Sequence, residues 1–419
     1  MKTIEMGLNA RLAARSLARA STAQKNAVLL GMAAGIMEAG EGILAANQSD
    51  LDAARMTGLG AAMLDRLTLN ESRLGAIAAD LRSVAELSDP VGEAFDEATL
   101  PNGLQVRKQR VPLGVLGVIY EARPNVTLDV AGLAIKTGNT AILRGGSETL
   151  NSNRALVAVI QRALIENGLP SEAIQFIDDP NRERVFELLQ MNDYVDMIIP
   201  RGGAALHDFC RKNSRIPVIT GGIGICHLFV DDSADLEASL EVIRNAKIQR
   251  PTVCNALDTV LVHQAVAEQF LPHLVTCLAQ DGVTFRVDGS AWPYLGEPIQ
   301  PSVSPAGPED FDTEWLSLVL GLKVVESLGE AMAHIEAHST GHSDGILTRN
   351  EVNASRFVAE VDSAAVYVNA STRFTDGGQL GLGAEVAVST QRLHARGPMG
   401  LRELTIYKWV IFGDYHVRH

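Results

Sequence analysis

The chain has 419 residues, 46% of them hydrophobic, and a formal net charge of −14 at pH 7. That length allows two or three domains with large buried cores, and the acidic balance argues against a nucleic-acid partner. Four cysteines, Cys210, Cys226, Cys254 and Cys277, form no CxxC pair or regular spacing, which argues against a disulfide framework or structural zinc and fits reduced thiols in a cytoplasm.

Residues 9–87 are rich in Ala, Leu and Arg with helical periodicity, broken near Gly58 to Gly60 and capped at Asn70. Within them the apolar run 27–37 follows several arginines, as a secretory signal would. It is too short to span a membrane and Glu38 and Glu41 follow at once, so it reads as a buried helix. No other segment is long and apolar enough to cross a bilayer. Residues 98–111 read as a hairpin, with Asn102-Gly103 supplying the positive φ angles of a tight turn.

From Gly114 to Cys226 short apolar runs (116–120, 140–143, 174–177, 197–199 and 217–219) alternate with helical stretches such as 126–137 and 153–166. That spacing predicts a doubly wound α/β sheet. A second α/β block runs from His227 to about Val368, and the tail 404–412 reads as one more strand. The G-x-G-x-x-G dinucleotide fingerprint is absent, since Gly222-Ile-Gly224 lacks a third glycine at the required place.

Cys254 stands between a polar loop containing Arg250 and Pro251 and a β-like run from Asp258 to His263. A thiol where loop meets sheet suits a nucleophile a substrate can reach, although a small buried hydrophobe is an equally common role for a free cysteine. Cys226-His227 looks like a nucleophile and base, but neighbours on a strand point to opposite faces. His334, His338 and His342 recur at helical spacing, yet Ser339-Thr-Gly341 ends the helix before a metal site could form, so no metal is assigned.

Taken together, the segments 112–126 (ending Tyr-Glu-Ala-Arg-Pro-Asn-Val126), 136–148 (ending Arg-Gly-Gly-Ser-Glu148), Ile199-Pro-Arg-Gly-Gly203, Gln249-Arg-Pro-Thr-Val-Cys-Asn255, 334–344, Asn369-Ala-Ser-Thr-Arg-Phe374 and His394-Ala-Arg-Gly-Pro-Met-Gly400 occur in one order along essentially the whole chain. In that set the chain resembles the glutamate-5-semialdehyde dehydrogenases, or γ-glutamyl phosphate reductases, of the aldehyde dehydrogenase superfamily. The superfamily binds its nicotinamide cofactor without the glycine fingerprint. The resemblance implies an α/β, aldehyde dehydrogenase-like fold: a nucleotide-binding domain in 1–97 and 112–226, a catalytic domain in 227–399, and a small β oligomerisation extension in 98–111 and 400–419.

By the same resemblance Cys254 is the nucleophile and Asn125 an oxyanion donor, a pairing the chemistry needs because thiolate addition leaves charge on the carbonyl oxygen. Arg250 and Arg373, then Arg123, are the expected substrate-binding guanidiniums, with Arg396 also inside the matching motifs. Arg144, Gly145, Ser147 and Glu148 match the loop at the adenosine ribose. Pro200, Gly202 and Gly203 match the segment beside the pyrophosphate, and Glu314 the carboxylate at the nicotinamide ribose. Arg144 could favour a 2′-phosphate and Glu148 would repel one, so these residues leave NADP against NAD open; the resemblance itself implies NADPH.

Where hydrolytic relatives carry a water-activating Glu, this chain has Ile219, which cannot act as a base. The implied reaction is therefore reduction of L-glutamyl 5-phosphate to the 5-semialdehyde through a Cys254 thioester, in proline biosynthesis. Implied partners are the small-molecule substrate, a second copy of the chain as homodimer or higher oligomer, and the kinase that supplies the acyl phosphate, with no membrane. The alternatives are another acylating aldehyde dehydrogenase using CoA or phosphate, or a non-catalytic oligomeric nucleotide-binding protein.

Overall fold

A computed structural model describes residues 3–221, 223–295 and 301–418. The Ala- and Leu-rich beginning folds into α1 (Thr3–Leu17), α2 (Thr22–Glu38), α3 (Gly40–Met56), α4 (Ala61–Leu67) and α5 (Glu71–Glu86). Ser21 caps α2 through Gln24 N–H, and Asn70 caps α5 through Arg73 N–H at 2.8 Å, each satisfying a donor the helix end would leave orphaned. The apolar run in α2 buries Val28, Leu29, Met32, Ala33 and Ile36. No single helix among the described residues is long and apolar enough to cross a membrane, and α2 with α3, which reach the length together, are bent by 71° at their break.

After β1 (Ala94–Thr99) and β2 (Gln105–Pro112), the chain alternates: β3 (Val115–Tyr120), α6 (Asn125–Lys136), β4 (Thr140–Arg144), α7 (Leu150–Glu166), β5 (Ile174–Phe176), α8 (Glu183–Leu189), β6 (Met197–Arg201) and α9 (Ala204–Asn213). The four central strands form an all-parallel sheet in the order β5-β4-β3-β6. Strands β3 and β4 are buried at every position, as expected when helices cover both faces. Met6 and Ala10 of α1 and Leu188 of α8 join Val115, Ile142 and Ile198 in one core cluster, each large apolar side chain contributing about 1.5–3 kcal/mol. The order reverses between β3 and β6, the crevice where doubly wound sheets bind ligands.

The second half repeats the plan on a larger scale: β7 (Cys226–Val230), α10 (Leu236–Ile248), β8 (Leu257–His263), α11 (Gln264–Gln280), β9 (Thr284–Val287), β10 (Val303–Pro305), β11 (Val319–Val325), α12 (Leu328–His338), β12 (Ser343–Leu347), α13 (Glu351–Glu360) and β13 (Ala365–Val368). These strands make a parallel sheet, β10-β9-β11-β8-β7-β12-β13. Leu228, Val260 and Val262 pack with Ile243 and Phe270 in one cluster, while Phe229 and Leu261 join Ile335 and Phe357 in another. Successive side chains thus enter cores on opposite faces. A two-stranded ribbon, β14 (Val388–Ser389) with β15 (Gly397–Pro398), follows.

The last strand, β16 (Thr405–Phe412), pairs antiparallel with β2 from Thr405↔Pro112 to Phe412↔Gln105, and β2 pairs with β1. The two edges expected from the sequence therefore satisfy each other. Tyr407, Trp409 and Phe412 remain exposed, Trp409 at 55%; the Lys108 ammonium lies 4.7 Å from the Tyr407 ring centre and 5.2 Å from that of Trp409, within cation–π range.

The structure departs from the sequence expectations in three places. The hairpin turn is longer than a two-residue one: Leu100 N–H donates to Leu104, Gly103 alone takes a positive φ of 90°, and Asn102 instead uses its side-chain oxygen to accept from Leu104 N–H. The run 217–219 makes one isolated bridge, Ile198 to Val218, and no strand. By contacts, one unit comprises Met1–Thr220, Gly381–Ala387 and Met399–His419, the other Gly221–Leu380 and Val388–Pro398. Residues 221–226 thus go with the second half because Gly224 and Ile225 bond to Glu314 and Thr340 there, while 381–387 return to the first through Val386 N–H on Met399. Gly222 lies outside the described residues.

The buried Asn139 holds the tail strand to the first sheet: its amide donates to Leu404 O at 2.8 Å and its oxygen accepts from Gly114 N–H at 2.8 Å. Asn139→Leu leaves both backbone groups without a partner and is expected to destabilise by about 1–3 kcal/mol. A thermal midpoint equal to that of the native chain would refute this role.

Candidate active site

Helix α10 ends where it must, because Pro251 follows Arg250 and neither continues a helix. A tight loop then carries Cys254 to the start of β8, with Ala256 N–H closing on Val253 O at 3.0 Å. Since β7 and β8 run parallel with Cys226 beside Leu257, the thiol sits at the amino edge of the second sheet. The Cys254 side chain is half-buried. Its carbonyl accepts the Cys226 thiol at 3.3 Å, and Gly224 lies so close that a Cβ there would fall 1.5 Å from the same oxygen.

Around this loop the second unit gathers polar groups from several entry segments. The Asn255 amide donates to Thr375 O at 3.0 Å, its carbonyl accepts from Thr372 Oγ1 at 2.7 Å, and its side-chain oxygen accepts from Arg373. Arg373 also donates from Nε to Gln249 Oε1 at 2.8 Å. Burial, then the like charge of Arg250, hold the Arg373 guanidinium below its usual value, and its field reaches Cys254. Arg250 is exposed and engages no hydrogen-bond or ion-pair partner among the described residues. Arg396, by contrast, bonds Asp362 at 2.6 Å.

Glu314 accepts from Gly224 N–H at 3.0 Å, and burial raises its carboxyl above the usual range. Beneath the loop, the buried Lys247 ammonium donates to Leu257 O at 2.8 Å and lies 3.4 Å from Asp258, whose carboxyl is pushed up to about 6 chiefly by burial. Cys226 and His227 diverge as strand alternation demands, His227 Nδ1 meeting Asp344 Oδ1 at 3.0 Å. His334 and His338 pack as tilted rings 4.4 Å apart between centres, and His342 bonds Ser343.

In the first unit the crevice at the carboxyl ends of β3 and β6 holds the other expected residues. Gly203 N–H donates to Glu121 Oε2 at 3.1 Å, a Cβ at Gly202 would strike that carboxylate, and a Cβ at Gly203 would meet open space. Pro200 is buried in β6. Ala122, at a φ of 47°, donates its N–H to Glu148 Oε1 at 2.8 Å, drawing the loop after β4 onto the loop after β3. Ser147 is exposed beside Glu148, and Gly145 packs against Asn153 too closely for a side chain. The Arg144 guanidinium is turned inward, onto the carbonyls of Pro180 and Gly145. Arg123 is half-buried.

Asn125 opens α6 and donates from Nδ2 to Asp129 Oδ2 at 2.9 Å. Asp129 went unnoticed in the sequence, though its spacing of one helical turn from Asn125 was the signal available. The sequence marks Gly224 only by the fingerprint it fails to complete, and Asn255 only as the end of the Cys254 motif. The second unit thus brings together Cys254, Arg250, Arg373 and Glu314; the first brings together Glu148, Gly202 and Gly203 around one crevice and places Asn125 at the helix start beside it.

Residues 7–285 match the model of the aldehyde dehydrogenase family. The chain is 59% identical over 415 residues, 99% of both chains, to a γ-glutamyl phosphate reductase of Aeromonas salmonicida, and 58% identical over 415 residues, again 99% of both, to one of Vibrio vulnificus. Among solved structures it is similar to the γ-glutamyl phosphate reductase of Thermotoga maritima, with 46% identity, all of both chains covered and a TM-score of 0.97. An acetylating aldehyde dehydrogenase from Geobacillus thermoglucosidasius, 19% identical with a TM-score of 0.71 over 100% of this chain and 97% of that one, shares the fold.

The environments of the cysteines predict their reactivity. Burial pushes the Cys210 thiol up to about 12 and the Cys226 thiol well above its ordinary value, so neither holds appreciable thiolate at neutral pH. Iodoacetamide at pH 7 should alkylate Cys254 while Cys210 and Cys226 stay unmodified in the folded protein. Peptide mass spectrometry showing Cys226 labelled as fast as Cys254 would contradict this assignment of reactivity.

Proposed function

The chain belongs to the γ-glutamyl phosphate reductases of the aldehyde dehydrogenase family, and from that premise we propose that it reduces L-glutamyl 5-phosphate to the 5-semialdehyde through a Cys254 thioester, a step of proline biosynthesis. The observation that carries the residue assignment is the pair of guanidiniums at the Cys254 loop: Arg373, fixed by Asn255 and Gln249, and Arg250, which is uncommitted. Their charge favours the thiolate over the thiol, and the free fork of Arg250 suits the phosphoryl oxygens of the substrate.

In the proposed sequence the Cys254 sulfur adds to the γ-carbonyl carbon. Charge that develops on the carbonyl oxygen is met by the Asn125 side-chain N–H at the start of α6 and by the Cys254 backbone N–H. The carbon–oxygen bond to phosphate then breaks, phosphate leaves with the electron pair, and the acyl group remains on sulfur. Family membership brings a nicotinamide cofactor, which when bound supplies the hydride that takes the acyl group to the aldehyde level.

The crevice between β3 and β6 fits a dinucleotide: Gly203 leaves its backbone open to close approach, and Ser147, Glu148, Pro200 and Gly202 surround the turns that would hold it, with Arg144 and Gly145 bracing the loop. Glu314 in the second unit is the proposed carboxylate for the nicotinamide ribose, Arg123 a further substrate contact, and NADPH the proposed donor. Ile219, only 1% exposed, offers no base to activate water. The acyl group is accordingly exchanged with phosphate and not hydrolysed.

The exposed aromatic face of the β1-β2-β16 sheet is the proposed assembly surface between copies, because a row of unsatisfied apolar side chains on an edge ribbon invites a partner.

Assayed in the oxidative direction, NADP reduction with glutamate 5-semialdehyde should require phosphate, or arsenate in its place, and Cys254→Ser should abolish it while leaving cofactor affinity and folding nearly unchanged. Robust turnover in buffer free of both anions, with glutamate accumulating, would overturn the proposed chemistry. For assembly, a chain truncated after Arg402 should sediment as monomer or aggregate with weakened activity; unchanged sedimentation with full turnover would refute it.

A further inference from the structure

Among the described residues, Asp129 is a carboxylate without a paired cation. It lies half-buried on α6, one turn beyond Asn125 and on the same face. Its hydrogen bond within the molecule comes from a neutral group, Asn125 Nδ2–H on Oδ2 at 2.9 Å. No Lys, Arg or His nitrogen comes within ion-pairing distance of it among the described residues. Arg201 acts on it only at longer range, and Asp80 adds a like charge. Taking a carboxylate partly out of water is costly unless a positive group compensates. Burial, with Asp80 adding to it, has pushed this carboxyl up to about 6, and a cation bound beside it would reverse that penalty.

We infer that Asp129 is a specificity-determining residue that receives the α-ammonium group of the glutamyl substrate, an assignment that rests on the proposed reaction. An amide nitrogen carries two hydrogens. One of those on Asn125 is committed to Asp129, which fixes the amide with nitrogen toward the carboxylate and leaves the other hydrogen for the carbonyl oxygen undergoing attack. A carbonyl oxygen held there stands two hydrogen bonds from Asp129, roughly 5 Å allowing for the angle at nitrogen. The γ-carbonyl oxygen and α-nitrogen of a glutamyl chain are themselves roughly 5 Å apart when the chain is partly folded. One side of α6 therefore measures the substrate: Asn125 holds the reacting carbonyl and Asp129 the amino group at the far end. A substrate lacking the amine gives Asp129 nothing to bind and leaves its charge uncompensated.

The test compares phosphate-dependent oxidation of glutamate 5-semialdehyde with that of glutarate semialdehyde, which lacks the α-amine, in the full-length native protein and in Asp129→Asn. The amide replacement keeps an oxygen for Asn125 to donate to and removes only the charge. In Asp129→Asn, kcat/KM for the aminated substrate should fall roughly 10- to 100-fold, the worth of a charge-assisted hydrogen bond, mainly through KM. With glutarate semialdehyde it should stay within about threefold. Asp129→Ser, read by the same ratio, serves should the amide variant not fold. An equal loss with both substrates would overturn the inference, since it would mean that Asp129 acts only by orienting Asn125; so would no loss with either. Failure of the native protein to oxidise glutamate semialdehyde would instead strike the proposed reaction itself, and the inference would fall with it.

Discussion

Between Gly224 and the carbonyl of Cys254 there is no room for a methyl group, and the entry segments of β7 and β8 are consequently locked face to face. Backbone approach this close requires glycine, and it has consequences in both directions along the chain. On one side it brings Cys226 under the Cys254 carbonyl, so that a buried thiol finds an acceptor. On the other it presents Gly224 N–H to Glu314, tying in the segment before β11. The loop that carries Cys254, the proposed nucleophile, is thus held by backbone contacts. The Lys247 ammonium on Leu257 O secures the same loop where it becomes strand. Rigid support of this kind is what keeps a reactive group within the small tolerance that covalent chemistry allows.

The two parallel sheets use opposite edges. The first offers a crevice at the carboxyl ends of β3 and β6, the place doubly wound sheets reserve for nucleotides. The second carries its thiol at the amino edge, beside the C-terminus of α10, where the helix dipole disfavours negative charge. On the proposed mechanism a thiolate there needs positive charge from elsewhere, and a half-buried guanidinium, Arg373, is pinned nearby by two side chains beside a second one. The like-charge strain between Arg373 and Arg250 would be relieved by an anion, so the arrangement proposed to favour the thiolate also suits the proposed phosphorylated substrate.

The doubly wound strands were legible because they are covered on both faces and so read as unbroken apolar runs between helices; β3, β4 and β7 are buried throughout. The pairing of β16 with β2, far apart in the chain, followed from each having an edge to satisfy. What escaped was set by contacts that sequence spacing does not carry. Asn102-Gly103 has the composition of a tight turn, but Leu100 and Leu104 close a longer one. Residues 217–219 are as apolar as a strand yet make a single bridge. The return of 381–387 to the first unit depends on Val386 and Ala387 pairing with Met399, beyond a β-ribbon that belongs to the second unit. Arg144 matches a cofactor motif by position, while its direction was decided by two carbonyls, those of Gly145 and Pro180, that no motif records.

In a chain of net charge −14, most guanidiniums meet a carboxylate, and the exceptions become informative. Arg396 and Arg392 both bind Asp362, Arg110 and Arg402 both bind Glu93, and Arg11 binds Asp196. Such pairs contribute little stability when exposed, but they withdraw their arginines from any ligand. Arg250 carries no such partner among the described residues, and the motif match alone does not separate it from Arg396. Asp129, half-buried, is bonded to a neutral amide and meets no lysine or arginine within ion-pairing distance among the described residues. A substrate with both phosphate and ammonium groups asks an anionic protein for one uncommitted charge of each sign, and on the proposed reading Arg250 and Asp129 are the groups that meet them.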